Sequence, residues 1–412
     1  MLILALMNVI IAIVFLMCYV FQLVYLVVPY VKKAPEHKPE KIHNFAVLIC
    51  ARNEESVICD LIESIKNQDY PSEHVKIFVV ADNCNDRTAE VAKGKTAIVY
   101  ERFDNKNIGK GFALDFGLSK ISEDFGENTF DAFIVFDADN ILEKNFITEI
   151  NKTFSDGYEV ITTYRNAKNY SDNWLSAGAG IWFLRESKYL NFSRMLVGAS
   201  AQVSGTGFLF SNDVRKEYGG WPFHTLTEDY EFTCHSVVNG RKFGYCNDAR
   251  FYDGQTVKFK DSWNQRLRWV KGGLQSFSKF GKQMLKGVFS KNFISCYDMV
   301  MSFAPAYAIS ILACLINVVG VSVLVNKGYS LLQTLLPAIC LVIAAYLIVV
   351  LQSIVVTISE WKYIKATKIK KILYIFTFPV YMLTFIPIAF VALLKKNVAW
   401  KSGSLANNKN KQ

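Results

Sequence analysis

The sequence predicts an α/β globular domain set between α-helical membrane segments. Three observations carry that prediction. Hydrophobic residues make up 51% of the 412, and they gather at residues 2–31 and again after about residue 293. Between these, over residues 44–290, short apolar runs alternate with runs of helical period. Much of the formal net charge of +10 sits beside the apolar segments: Lys32, Lys33, Lys38 and Lys41 follow the first, and Lys279, Lys282, Lys286 and Lys291 precede the second. That placement suits an anionic membrane leaflet and argues against nucleic acid, for no interleaved aromatics and arginines form a stacking groove.

Met1–Val31 carries no charge and lacks the basic start and small-residue cleavage site of a secretory signal, so it reads as a membrane span. Phe293–Val325 and Leu331–Ile358 are two more spans, joined by "NKGYS". Leu373–Leu394 is a fourth apolar segment, interrupted by Pro379 and Pro387. Each is long enough for a hydrocarbon core of about 30 Å. The loop Glu360–Lys371 holds five lysines against one glutamate, which places it and the globular domain in the cytoplasm, most simply at the plasma membrane. A plain crossing by the fourth segment would then strand Lys395–Lys401 outside, against the same rule; its prolines leave a re-entrant or broken segment open. The region 293–394 is thus a C-terminal membrane region, followed by a basic tail over 395–412. Nine cysteines without a C-x-x-C pair fit reduced thiols in a cytosolic domain.

Within the globular part, "NFAVLIC" (Asn44–Cys50) reads as a strand, and Val57, Ile58, Leu61, Ile62 and Ile65 line one face of a helix after it. "VKIFVVA", "TAIVY" and "DAFIVFDA" are further strands. Such alternation implies a mostly parallel twisted sheet with helices on both faces, and ligands at the carboxyl ends of its strands.

Acidic and polar clusters fall at those ends. Arg52, Asn53, Glu54 and Glu55 follow the first strand, Asp82 the second, and Asp137 and Asp139 the fourth. The last pair is a D-x-D in "FDADN", where residues i and i+2 of an extended chain point the same way and can share a hard divalent cation. Lys110 in "NIGKGFAL" stands at a helix start, either to meet a diphosphate or as a solvated lysine. In "TLTEDYEF", Glu228 and Asp229 open a helix with Thr227 as its cap; they are either acids favoured by the helix dipole or a general base. In "SWNQRLRWVK", Gln265 and Arg268 share a helical face with Trp269 beside them, as an interfacial anchor or a grip on an anion.

Taken in order, "CARNEE", "VVADNCNDRTAE", "GKGFAL", "FDADN", "SGTGFLF", "TEDYEF" and "QRLRW" resemble glycosyltransferase family 2, the membrane-bound inverting enzymes that include bacterial cellulose, hyaluronan and poly-N-acetylglucosamine synthases. The resemblance spans about residues 45–273. It implies a GT-A fold, a Rossmann-like mixed sheet with helices on both faces, and a UDP-sugar donor, with UDP-GlcNAc or UDP-glucose foremost. By that resemblance Ala51, Glu54 and Asp82 hold the uridine, Lys110 and Asp137 lie near the nucleotide and diphosphate, and Asp139 with Asp137 holds Mg2+ or Mn2+. Asp229, with Glu228 beside it, is the base, while Gln265, Arg268 and Trp269 close the donor and acceptor site. Ser204–Phe210 floors the acceptor pocket, unless its glycines serve only a tight turn.

Three functions compete on this reading. One is extension of a β-linked polysaccharide, another is transfer of one sugar to a lipid or glycan acceptor, and the last is a non-catalytic sugar-nucleotide-binding subunit. A partner subunit in the membrane is compatible with each. Polymer extension leads, although there are fewer apolar segments than in the large cellulose synthases and "DGQTVKFK" is more basic than the family pattern.

Overall fold

In the computed structural model, residues 1–398 are described; residues 399–412, most of the expected basic tail, lie outside the described residues. Helix α1 (Leu2–Val31) leads into the sheet. The first half of the globular part runs β1 (Phe45–Ala51), α2 (Ile58–Lys66), β2 (Val75–Asp82), α3 (Thr88–Gly94), β3 (Ile98–Arg102), α4 (Lys110–Phe125) and β4 (Ala132–Asp137). Then follow β5 (Ile141–Leu142), α5 (Phe146–Ser155), β6 (Val160–Ala167), α6 (Trp174–Arg185), a π-helical turn (Glu186–Phe192) and α7 (Ser193–Leu196). The domain ends with β7 (Phe208–Ser211), α8 (Asn212–Tyr218), α9 (Glu228–Val238), β8 (Gly244–Asp253) and α10 (Phe259–Gly287). The last four helices are α11 (Phe293–Asn326), α12 (Leu331–Ser359), α13 (Lys368–Leu383) and α14 (Phe385–Leu394).

The eight strands form one sheet in the order 3-2-1-4-7-6-8-5. Strands β1 to β4 pair in parallel, as their βα alternation requires. Strand β7 then pairs antiparallel with both β4 and β6, so the sheet is mixed. Successive side chains of one strand feed opposite cores. Leu48, Val80 and Val135 pack with Leu114, Leu118 and Ile121 of α4. Val47, Ile49, Val79 and Ile134 pack on the other face with Ile58, Leu61 and Ile62 of α2 and with Ile147 and Ile150 of α5. Each such fully buried aliphatic side chain contributes about 1.5–3 kcal/mol.

Among the described residues, four stretches are long and apolar enough to cross a membrane: α1, α11, α12 and Lys368–Leu394. The last is broken. Pro387 clashes with the carbonyl four residues before it, Leu383, where α13 ends, and α14 starts after Thr384. The loosened Tyr381 carbonyl accepts from Thr384 Oγ1 at 2.6 Å and from Arg266 Nη1 at 3.1 Å. Arg266 is fully buried, its guanidinium 4.3 Å from the Tyr381 ring centroid and 5.2 Å from that of Phe385. Both ends of the broken segment are tied to the globular domain: Lys370 Nζ donates to the Ser171 carbonyl at 2.7 Å, and Lys271 Nζ donates to that of Ala392 at 3.0 Å. In between, Tyr381 fills the space that a Cβ on Gly178 would take, and Phe385 stacks on Trp182. The segment therefore lies against α6 and α10 of the domain and also against α12, where Ser353 Oγ donates to the Ile375 carbonyl at 2.9 Å and Tyr346 to that of Phe376 at 2.9 Å.

Arg266 is buried under the broken segment. Lys279, one of the lysines expected beside the membrane, donates from Nζ to the buried Glu231 Oε1 at 2.5 Å while its side chain stays half exposed. At the other end of the domain, Arg194 Nη2 and Nε bind Asp298 of α11 at 2.7 and 3.0 Å, and Tyr25 of α1 donates to the same carboxylate at 2.7 Å. This buried network fixes α1 and α11 against α7.

Candidate active site

The carboxyl ends of β1, β2 and β4 lie side by side, because Ala51 pairs with Ala81 and Cys50 with Asp137 in the parallel register. This brings Ala51, Glu54, Asp82, Asp137 and Asp139 to one edge. Asp82 is already engaged: Arg102 Nη1 donates to its Oδ1 at 2.6 Å and Asn83 Nδ2 at 3.0 Å. Burial raises its carboxyl, against the pull of Arg102. Ala51 and Glu54 are buried at the end of β1, and the Glu54 amide donates to Thr88 Oγ1 at 2.8 Å.

Lys110, the first residue of α4, is buried rather than solvated. Its Nζ binds Asp137 Oδ1 and donates to the Gly205 carbonyl at 2.7 Å. Asp137 keeps 40% of its side chain exposed, so it stays reachable from solution. Gly111 explains the second glycine of "GKG". A Cβ there would stand 2.1 Å from the Phe223 carbonyl oxygen and 3.3 Å from Glu228 Cβ. Without that side chain, the start of α4 closes on the start of α9, and Lys110 approaches Glu228 and Asp229.

The Glu228 carboxyl is pushed up to about 7, first by burial and then by Asp229, with Lys110 and Arg268 opposing. Asp229 is raised as well, again chiefly by burial. Its Oδ2 lies 3.6 Å from where a Cβ on Gly205 would be, so the "SGTG" turn forms one wall of this acid pair. Gly205 (φ +85°) and Gly207 (φ +64°) both take left-handed backbone. They differ in what they admit: Gly207 lies under the Phe251 ring, which is internal packing.

Helix α10 holds the acid pair from behind. Arg268 Nη1 donates to the Leu226 carbonyl at 2.9 Å, while the Leu226 amide donates to Gln275 Oε1 at 3.1 Å. Gly272 allows this approach, since a Cβ there would stand 2.3 Å from Thr227 Oγ1. Thr227 occupies the N-cap of α9, but its hydroxyl makes no capping bond, which corrects the expectation for it. Glu231 satisfies the preceding turn in its stead, accepting from the His224 and Thr225 amides at 3.0 and 2.8 Å. Trp269 meets Phe183 edge to face, with ring centroids 6.0 Å apart, and Gln265 is half-buried on the same helix.

Asp139 is buried, and its carboxyl is raised well above the usual range, first by burial and then by Asp253, Asp137 and Glu54. Among the described residues no three His, Cys, Asp or Glu side chains converge as a ready-made metal cage. The carboxylates of Asp137 and Asp139, two residues apart at the end of β4, still fit Mg2+ or Mn2+. Such ions are commonly held by one or two carboxylates, with substrate phosphates and water completing the shell. Sequence reasoning missed Arg102, Arg165 and Asp253. For Arg165 the available signal was a lone charged residue inside an otherwise uncharged strand, whereas β3 and β8 carry other charges and gave none.

The glycosyltransferase-like family 2 model matches residues 43–272, more than half the chain. The chain belongs to that family. Among curated relatives of this family 2 chain, the probable glycosyltransferase YdaM of Bacillus subtilis is 26% identical over 269 residues, 60% of this chain and 59% of that protein. The β-monoglucosyldiacylglycerol synthase of Synechocystis is 24% identical over 233 residues, covering 56% and 48%. The poly-β-1,6-N-acetyl-D-glucosamine synthase of Staphylococcus epidermidis is 21% identical over 281 residues, covering 66% and 64%. The chain thus spans less than two thirds of the length of each. Among solved structures, a mannosyltransferase from Pyrobaculum calidifontis in complex with GDP-Man and Mn2+ superposes with a TM-score of 0.61 at 15% identity, over 96% of this chain and all of that one. That likeness concerns the fold, which for this family 2 chain is GT-A.

Proposed function

We propose that this chain is a membrane-bound inverting glycosyltransferase that moves a sugar from a nucleotide-diphosphate donor, read as UDP-GlcNAc or UDP-glucose, to an acceptor hydroxyl. One observation carries the reading: Lys110 binds both Asp137 of the D-x-D and the carbonyl of Gly205, the residue that walls Asp229. A cation, a metal-type carboxylate and a base candidate thereby share one junction at the sheet's ligand-binding edge.

In the reaction Asp229 takes the proton of the acceptor hydroxyl, and that oxygen attacks the anomeric carbon as the bond to the diphosphate oxygen breaks. Displacement in one step inverts the centre. Lys110 and Arg268 offset the charge that builds on the departing diphosphate. Ala51, Glu54 and Asp82 form the floor for the nucleotide base, and Gln265 and Trp269 close the site over the sugar. Asp139 and Asp137 would hold Mg2+ or Mn2+, which supplies positive charge against the diphosphate.

Polymer extension is one outcome of this chemistry. The packing of the broken segment on α6 and α10 favours the other, transfer of one sugar to a lipid or glycan acceptor at the membrane face. On the reading that this segment does not cross, α1, α11 and α12 are left, of the described apolar helices, to line a polymer path. A relative named for a lipid product, the β-monoglucosyldiacylglycerol synthase, supports the same reading. The globular domain then faces the cytoplasm, a placement that the lysines of 360–371 support. Product mass from membranes supplied with each donor tests this. A single adduct supports transfer to a discrete acceptor, and a ladder of rising mass supports extension.

A further inference from the structure

Arg165 lies outside every motif discussed so far, and Asp253 opens "DGQTVKFK", which has been given no role. Arg165 stands on β6 and Asp253 ends β8, its neighbour in the sheet. The pairing shifts register between Thr163 and Tyr164, where the β8 partner jumps from Cys246 to Arg250. Irregular pairing of this kind re-aims side chains at a strand end. Here it accompanies a buried ion pair: Arg165 Nε donates to Asp253 Oδ2 at 2.9 Å, and Nη2 binds the same oxygen.

Each partner reaches a different part of the site. Asp253 Oδ1 accepts from Asn140 Nδ2 at 3.0 Å. Asn140 is fully buried, directly follows Asp139, and accepts from Thr206 Oγ1 at 2.5 Å. Thr206 Oγ1 in turn accepts from the Asp137 amide at 2.9 Å. Both ends of the D-x-D turn are thus held by one relay that ends on Asp253. Arg165 Nη1 donates to the Ser204 carbonyl at 2.8 Å, at the entry to the "SGTG" turn that walls Asp229. Its guanidinium also lies 3.6 Å from the centroid of the Phe183 ring, on which Trp269 packs.

We infer that Arg165 is a positioning residue that couples the D-x-D, through Asp253, to the acceptor turn and to the helix carrying Gln265, Arg268 and Trp269. The inference rests on the donor and metal reading above. Only a guanidinium serves the coupling, since it spends Nε and Nη2 on Asp253 and Nη1 on Ser204 in one plane, with a flat face left for Phe183. A lysine would keep the charge beside Asp253 and lose the fork.

The test uses the full chain in detergent, with UDP titrated calorimetrically in Mn2+ and again in EDTA, and the thermal midpoint followed alongside. Arg165→Lys is expected to weaken UDP binding in Mn2+ about tenfold and to raise the half-saturating Mn2+ by a similar factor, leaving binding in EDTA unchanged. Asp253→Asn should repeat this, and the double variant should be little worse than either alone. Because Arg165→Lys keeps the charge, it separates coupling from folding, which Arg165→Gln, by leaving Asp253 unpaired, does not. Binding as in the wild type, or weakening that is equal with and without Mn2+, overturns the inference and leaves the proposed function intact. A wild-type chain whose UDP binding ignores Mn2+ overturns both.

Discussion

Lys110 and Asp137 form an ion pair at the mouth of the sheet, with the lysine buried and the aspartate still open to solvent. Twenty-six residues separate them, yet the start of α4 and the end of β4 meet there because β1 lies between β2 and β4. The pair puts a fixed cation between the metal-type carboxylates and the Glu228–Asp229 pair.

Lys110→Met removes that cation. Nucleotide release should fall about 100-fold, the scale for losing one preorganised electrostatic contact. The loss should fall on kcat more than on donor KM, and steady-state kinetics over a donor titration checks it. A change in KM alone would assign Lys110 to binding only.

Asp139→Ala should abolish the response of turnover to Mg2+ or Mn2+. Wild-type membranes should lose most activity in a chelator and regain it on adding back the ion, while the variant stays flat at all concentrations. Full wild-type activity in the chelator would remove the metal from the account.

Glu228 makes stability depend on pH. Its carboxyl sits at about 7 in the fold against an ordinary 4.5. Below the ordinary value it is protonated in both folded and unfolded chains and costs nothing. As pH rises toward 7 the unfolded chain ionises freely and the folded one resists, so the penalty grows and is complete above the folded value. Glu228→Gln should therefore raise the thermal midpoint by about 3 °C or more at pH 8 and by far less at pH 5. Equal shifts at both would refute that assignment.

Much of this was legible in the sequence, for particular reasons. Strands β1 and β4 are buried along nearly their whole length and β2 over its second half, so they show as apolar runs whose ends are clear, and Ala51, Asp82, Asp137 and Asp139 follow from those ends. The pairing of Arg165 with Asp253 was not legible, because nothing local links residues 88 apart that meet only through sheet order. Arg266 was hidden for another reason. Its neighbours Gln265, Arg268 and Trp269 drew the functional reading, while its own partner is a helix break more than a hundred residues later. The fourth apolar segment was ambiguous because length and hydropathy do not distinguish a crossing helix from one packed on a domain.

That segment yields a topological prediction. In a background lacking the nine native cysteines, Lys396→Cys and Lys106→Cys should react with an impermeant thiol reagent from the same side of the membrane. Labelling from opposite sides would make the segment a true crossing. Arg266→Ala should also lower the thermal midpoint, at a cost of about 1–3 kcal/mol for the lost hydrogen bond to the Tyr381 carbonyl and the lost packing on Tyr381 and Phe385.

The central claim is that Asp229 is the base of a glycosyl transfer. The most direct measurement is nucleotide release by Asp229→Asn and wild-type membranes across UDP-GlcNAc, UDP-glucose and GDP-mannose with Mn2+, with nucleotide binding measured on the same samples. The account predicts release with one donor by the wild type, a loss of about 100-fold or more in the variant, and unchanged nucleotide binding. Wild-type turnover in Asp229→Asn would contradict it.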